Sequence, residues 1–343
     1  MSAEIYMQRC IDLARKGIRS VAPNPMVGCV LVVNNKIIGE GYHQFFGGPH
    51  AEVNAINNVL NTKALKKATL YVSLEPCSHM GKTAPCADLI IKKGIQNVVI
   101  GTRDPNPLVG GKGIEKLKNA GIEVEEGVLQ DQCLELNKRF FTFHEKRRPY
   151  VILKWAQTLD GFLDRIREDN KQEVNWISAP ETKTLVHKWR SEEQSILVGR
   201  NTILNDNPSL TVREYGGTNP IRLVIDSQLQ ISGSLNVYSE DAPTIVFNRL
   251  KDATEKNIEF VKIKETSTKN ILDELYKRGI QSVFVEGGSR TLQYFIIDNV
   301  WDEARVIVGR KSFKEGYKAP VINRIPIKTI PFGKDTVHYF KRK

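Results

Sequence analysis

The chain reads as an α/β protein of two domains, and three observations predict this. Short apolar strands alternate with helical stretches through the first half. A polar, basic segment at 138–149 breaks the alternation and ends at Pro149. A fresh strand then opens at 150–154, and the same style resumes to the end. A length of 343 residues suits two ordinary domains, expected here at 1–147 and 148–343.

Residues 1–18 form an amphipathic helix interrupted by Asp12, Arg15 and Lys16, which is not a signal-peptide pattern. Residues 27–33 are an apolar strand, Asn34-Asn35 turns the chain, and 36–41 is a second strand. Helical character is expected over 50–60, followed by a strand over 70–74 that runs into a cysteine-bearing loop. A helix over 86–93, a strand over 97–101, a helix over 113–120 and a strand over 122–125 follow. The segment 138–149 is expected to be a solvated hinge. In the second half 195–199, 221–225, 244–248, 282–286 and 304–308 read as strands, and a helix starts near Ser289. Residues 164–173 make the most polar loop and the expected mobile segment. No internal repeat and no low-complexity stretch is present.

Hydrophobic residues make up 41% of the chain and charged residues 26%, so both halves have material for a core and a solvated surface. No apolar run approaches the length of a membrane span. The five cysteines, Cys10, Cys29, Cys77, Cys86 and Cys133, are odd in number and scattered, which points to a reducing cytosol and not to a disulfide framework. Cys10, Cys29 and Cys133 lie in apolar surroundings and are expected to be small buried hydrophobes. The formal net charge of +11 fits nucleic acid, an anionic small substrate or a merely basic surface. Because the cations are spread along the chain, with one local cluster at 138–148, no nucleic-acid partner is expected.

The strongest chemical signal is His50, Glu52, Cys77 and Cys86, within Pro49-His50-Ala51-Glu52 and Pro76-Cys77 to Pro85-Cys86. One imidazole and two thiolates can hold Zn2+ and leave a fourth position open for water. A bound zinc lowers the pKa of that water, and the Glu52 carboxylate, not needed as a ligand, can shuttle its proton. H-x-E followed by P-C-x-x-C is the constellation of the zinc nucleobase deaminases. Here eight residues separate the cysteines in place of two. Both ligand segments fall at expected helix starts, where the macrodipole favours thiolate. His43 and His79 stand nearby; His79 is expected to contact substrate or orient a ligand. Asn24, on the turn before the first strand, either reads a pyrimidine edge or caps that turn. In the second half a buried strand ends at Glu286-Gly287-Gly288, a junction that either admits a phosphate to a helix N-terminus or makes a tight turn. No G-x-G-x-x-G follows a strand, and Gly111-Lys112-Gly113 lacks the third glycine, so a Rossmann fingerprint is absent.

These residues resemble the family of bifunctional riboflavin-biosynthesis deaminase/reductases. The resemblance is carried by Asn24-Pro25-Met26-Val27-Gly28, Gly47-Gly48-Pro49-His50-Ala51-Glu52, Glu75-Pro76-Cys77 through Cys86, and Asp104-Pro105-Asn106-Pro107. It continues through Lys154-Trp155-Ala156-Gln157-Thr158-Leu159-Asp160-Gly161, Trp176-Ile177-Ser178, 199–208 and Glu286-Gly287-Gly288, so it covers nearly the whole chain. The resemblance implies a cytidine-deaminase-like α/β/α sandwich joined to an α/β domain similar to dihydrofolate reductase. It implies zinc-dependent deamination of a phosphoribosyl-pyrimidine, with Glu52 as proton shuttle, then NADPH-dependent reduction of the ribosyl group to ribityl. Asn24, His43, His79, Lys82 and Thr83 become deaminase substrate contacts. Lys154, Arg190, Arg213 and Glu286 become reductase substrate contacts, and Ala156, Trp176, Thr202, Asp206 and Gly288 contacts to NADPH. A cytoplasmic homo-oligomer, dimer or tetramer, is expected, with no membrane partner. The chain departs from the family pattern at Val174, where many members carry serine, at the bulky Trp155, and in a longer, more polar 164–175 segment. These departures bear on the sugar contacts and not on the reaction class. Two rival readings remain: a nucleic-acid base deaminase with a C-terminal targeting module, and a structural zinc domain closed by His79 or His43 as fourth ligand.

Overall fold

The computed structural model describes residues 2–79, 84–106, 110–166 and 172–342, and divides into two units, Met1–Arg147 and Arg148–Lys343. In the first, α1 (Ala3–Ala14) leads through a 3-10 turn (Arg15–Gly17) to β1 (Gly28–Val33) and β2 (Lys36–Tyr42). Then follow α2 (Ala51–Asn57), β3 (Thr69–Val72), α3 (Cys86–Lys93), β4 (Asn97–Ile100), α4 (Lys112–Asn119), β5 (Glu123–Glu126), α5 (Gln130–Leu136) and α6 (Lys138–Lys146). Asn34 and Asn35 both take positive φ, 50° and 63°, as a tight two-residue hairpin requires. The sheet order is β2-β1-β3-β4-β5, antiparallel about β1 and parallel from β3 to β5.

Period-two alternation gives this sheet two cores. Cys29, Leu31, Leu70, Val72, Val98 and Ile100 pack against α2, α3 and α4. Val30, Val32, Tyr71 and Val99 face the other way, against α1 and α5. Cys10, Cys29 and Cys133 are wholly buried in these layers.

In the second unit the elements are β6 (Tyr150–Gln157), β7 (Phe162–Asp164), α7 (Pro180–Glu192), β8 (Ser195–Gly199), α8 (Arg200–Asp206), β9 (Ile221–Ile225), β10 (Thr244–Asn248), β11 (Ala253–Glu255) and β12 (Ile258–Lys262). They continue as α9 (Thr268–Lys277), β13 (Ser282–Val285), α10 (Ser289–Ile297), β14 (Glu303–Val308), β15 (Tyr317–Lys318), β16 (Lys328–Phe332) and β17 (Asp335–Lys341). Ten strands form one sheet in the order β11-β12-β10-β9-β8-β13-β6-β14-β17-β16, parallel from β12 to β14. α9 and α10 cover one face with Leu272 and Phe295, while α7 and α8 cover the other with Trp189 and Ile203. The chain winds outward from β8 to β12 and returns as β13 beside β8. That reversal leaves a crevice at the carboxyl ends of the strands, the usual place for a ligand in such sheets.

Three expectations need correction. Residues 138–146 are a helix and not a solvated hinge: Phe140 and Phe141, hidden among basic residues in the sequence, bury against Leu74 and Leu134. That helix stops at Arg147, whose φ is 51°. The helix after His50 ends at Asn57, with Leu60 fully in solvent, and the strand from Thr69 ends at Val72. The expected mobility of 164–173 bears mainly on 167–171, which lie outside the described residues; of the rest, Asp164 ends β7 and Glu173 N–H donates to the Asn205 carbonyl at 3.1 Å. Trp155 faces the α9–α10 core and donates Nε1–H to Gln157 Oε1 at 2.8 Å, on the opposite side of the strand from Lys154, so its bulk falls in the core.

α1 lies so close to β1 that a Cβ on Gly28 would sit 2.0 Å from the Cys10 carbonyl oxygen. Gly28→Ala is therefore expected to destabilise the protein by about 1–3 kcal/mol, read as a drop in denaturant midpoint. An unshifted midpoint would show that α1 is not held against the sheet at this point.

Candidate active sites

In the first unit, His50 is the N-cap of α2, Cys86 opens α3, and Cys77 lies in the loop after β3. The fold brings their donor atoms within 4.8 Å of one another. His50 Nδ1 stands 3.5 Å from Cys77 Sγ and 3.3 Å from Cys86 Sγ. The Cys86 backbone N–H donates to Cys77 Sγ at 3.3 Å, so the start of α3 supports negative charge on that sulfur. Hydrogen bonds from Cys86 and His50 pull the Cys77 thiol down, while Cys86, bonded to Cys77 and buried, is pushed up. One imidazole and two sulfurs at this spacing are a zinc donor set, and among the described residues the group has three members, leaving room for a fourth ligand.

Glu52 projects from the first turn of α2 and is 3% exposed. Burial, then the neighbouring Cys77 charge, pushes its carboxyl up to about 7, and it hydrogen-bonds Cys86. His43 is not among the ligands. Its Nδ1 faces the Pro49 carbonyl at 3.0 Å and must donate, so in the neutral ring Nε2 accepts from Asn24 Nδ2 at 3.1 Å. Burial lowers the His43 pKa and favours that neutral ring. Asn24 thus points its amide at His43, in line with His50, whose ring lies 5.4 Å from that of His43. His79 is exposed on the loop beyond Cys77, and Lys82 and Thr83 lie outside the described residues.

Sequence reasoning missed Glu75. Its carboxylate accepts four backbone N–H groups: Asp104 at 3.2 Å, Gly111 and Gly113 at 2.9 Å, and Ile114 at 3.2 Å. It therefore caps α4 and pins the 104–106 loop from a point two residues before Cys77. The partners are 29 to 39 residues away, and nothing in the local pattern announces them.

In the second unit a cleft of about 1380 Å³ opens at the carboxyl ends of the strands. Thr202, Asp206, Glu286 and Gly288 line it, with Arg200, Arg249 and Arg290. Gly288 N–H donates to Thr202 Oγ1 at 2.9 Å, fixing the start of α10. A Cβ on Gly287 would lie 2.5 Å from the Val198 Cα, which explains glycine where β13 leaves the sheet. Arg190 forks onto Glu286 at 2.7 and 2.9 Å, and Lys154 approaches it at 3.5 Å. Burial raises the Glu286 pKa, but the charges of Arg190 and Lys154 overcome it and hold the carboxyl at about 2. Lys154 itself is lowered by burial, against the opposing pull of Glu286. Three residues read separately from the sequence as substrate contacts are thus one ion cluster, with Glu286 its cleft-lining member. Arg213 lies on an exposed stretch held to α7, Ala156 is half-buried on β6, and Trp176 is 50% exposed with Lys183 Nζ 3.8 Å above its ring. Ala156 and Trp176 do not line the cleft.

Residues 1–102 match the family model of the cytidine and deoxycytidylate deaminase zinc-binding region, and 149–312 match that of the RibD C-terminal domain. The riboflavin biosynthesis protein RibD of Aquifex aeolicus is 42% identical over 98% of both chains. That of Escherichia coli is 36% identical over 91% of this chain and 88% of its own. Among solved structures, a diaminohydroxyphosphoribosylaminopyrimidine deaminase/5-amino-6-(5-phosphoribosylamino)uracil reductase from Thermotoga maritima superposes with a TM-score of 0.89 at 40% identity over 98% of both chains. RibD of Acinetobacter baumannii gives 0.87 at 30% identity with the same coverage.

Elemental analysis of the purified protein is expected to find one zinc per chain. Glu75→Gln, which keeps the shape but weakens the acceptor, should lose zinc to a chelator roughly tenfold faster by loosening the Cys77 loop. Iron in active protein, or retention equal to the parent, would contradict this account of the site.

Proposed function

The chain belongs to the RibD family of bifunctional riboflavin-biosynthesis enzymes, and on that premise we propose which residues perform each of its two reactions. It is a deaminase and a reductase in one chain. Residues 1–147 hydrolyse the 2-amino group of 2,5-diamino-6-(5-phosphoribosylamino)pyrimidin-4-one and release ammonia. Residues 148–343 then reduce the ribosyl group of 5-amino-6-(5-phosphoribosylamino)uracil to ribityl. The observation that supports the first assignment best is the three-donor cluster with a buried carboxylate beside it. A base deaminase with a targeting module is not favoured, because the second half matches a reductase family model. A merely structural zinc domain finds no support either, since His43 is committed to Pro49 and Asn24 and, among the described residues, the donor group holds His50, Cys77 and Cys86 without His79.

In the proposed deamination His50, Cys77 and Cys86 hold Zn2+, which when bound supplies a water of lowered pKa. Glu52 takes a proton from the attacking water, delivers it to the ring nitrogen, and assists departure of the amine. Asn24 offers its carbonyl oxygen to the pyrimidine edge while one N–H of its amide goes to His43. His43, His79, Lys82 and Thr83 are further contacts to the deaminase substrate. In the reductase, Glu286 and Lys154 meet the sugar, and Arg213 with Arg190 balances the phosphate charge. NADPH, supplying hydride to the sugar C1, fits the cleft bounded by Thr202, Asp206 and Gly288, with Ala156 and Trp176 as further contacts. The three arginines along that cleft favour the additional phosphate of NADPH over NADH. The five free thiols fit a cytoplasmic enzyme, and a homo-oligomer of two or four chains is the expected assembly. Among the described residues, no helix is long and apolar enough to cross a membrane.

Ammonia release and NADPH oxidation on the diaminopyrimidine phosphate test the whole reading. Glu52→Gln should retain zinc, reduce pre-deaminated substrate normally, and deaminate about 100- to 10,000-fold more slowly. Near-parental deamination would remove Glu52 from the proton path. Lys154→Ala should keep deamination and zinc but lose most ribosyl reduction. Unchanged reductase kinetics in that variant would leave the lysine as a structural counter-ion to Glu286.

A further inference from the structure

We propose that His187 is a positioning residue of the reductase site: as a neutral acceptor it holds the backbone of Arg213, and its protonation loosens the segment that grips the sugar phosphate. The proposal rests on the reading of Arg213 as a substrate contact.

α7 carries His187 and Arg190 three residues apart, hence on one face. Those two side chains serve two backbone groups of the 211–213 segment. Arg190 Nη1 donates to the Thr211 carbonyl at 3.2 Å, and the Arg213 backbone N–H donates to His187 Nδ1 at 3.0 Å. A backbone nitrogen can only donate, so Nδ1 is the bare nitrogen and the ring proton sits on Nε2. The Arg213 guanidinium folds back through Nη1 to Thr211 Oγ1 at 2.9 Å, so a shift of the segment carries the guanidinium with it. α7 is itself anchored: Asp335 Oδ2 accepts from Ala179 N–H at 2.8 Å and from the Thr182 hydroxyl at 2.6 Å at its N-terminus. The ring of His187 is thus held on an anchored helix, while Arg213 and the residues after it to 218 are exposed.

A second proton on His187 would place an N–H against an N–H. The charged groups facing the ring are Arg190 on its own helix, Arg213 and Glu214 on the opposing segment, and Glu286 beyond β13. His187 is 5% exposed. Burial first, then the two guanidiniums, lowers its pKa below the ordinary imidazole value, with the two carboxylates in opposition. A lowered pKa means that the acceptor is intact at neutral pH and fails as pH falls below the usual imidazole range. KM for the ribosyl substrate should therefore rise on acidification more than kcat falls.

The test is the ratio of reductase KM at about pH 5.5 to that at about pH 7.5. The substrate phosphate, with a second pKa of about 6, contributes to the ratio in every variant. His187→Asn sets an amide oxygen near the Nδ1 position and does not titrate. Its ratio is expected to be about threefold or more smaller than the parent's. His187→Leu, with no acceptor, should raise KM at both pH values. Equal ratios in the parent and His187→Asn, alongside a raised KM in Arg213→Ala, would overturn the role of His187 alone. An unchanged KM in Arg213→Ala would overturn the contact on which the proposal rests. Imidazole 15N shifts of the parent protein give a variant-free check: Nδ1 bare at about pH 7.5 is expected, and a protonated Nδ1 there sinks the proposal.

Discussion

A carboxylate taken out of water must find donors, find cations or give up its charge. Three glutamates of this chain show three outcomes, and both candidate sites are built around them. Glu75 is met by four backbone amides, so its charge organises the chain around the cysteine loop. Glu286 is met by a bidentate guanidinium and an ammonium, which keep it ionised at the mouth of the cleft. Glu52 has no salt bridge among the described residues, and burial, against the pull of His50, moves its affinity for protons towards neutrality. The first two are held fixed by their partners, while the third keeps the freedom to exchange a proton, which a shuttle requires.

The sheets explain why these groups sit where they do. In each unit helices cover both faces of the sheet, so the strands spend their side chains on packing. Polar function is left to the strand ends and helix starts, where backbone amides are free to act as donors. His50, Cys86, Arg200 and Ser289 all stand at or beside such starts.

Legibility in the sequence followed the same division. The runs 195–199, 221–225 and 244–248 coincide with β8, β9 and β10, because a parallel strand buried on both faces is a continuous apolar stretch with abrupt ends. α6 was hidden because its buried Phe140 and Phe141 are flanked by Lys138, Arg139 and Lys146, so local charge outweighed a short apolar face. β16 and β17, with alternating exposure near the C-terminus, carried no such run. At the sites, residue types and order pointed to a metal cluster, since each type is tied to a chemistry. The Arg190–Glu286 fork spans 96 residues, and Glu75 reaches as far as residue 114. Such pairings are set by the fold alone, so the sequence could name these side chains one by one but not show that they pair with one another.

The borders of the ten-stranded sheet bear on how copies of the chain can meet. One border is β11, three residues long, beside the ion pair of Lys251 with Glu255. The other is β16, where Lys328 is exposed and Pro331, opposite Thr336, has no N–H to offer. A short charged strand and a proline-bearing one are poor templates for recruiting a further strand. Both borders of the sheet thereby guard it against edge-to-edge aggregation.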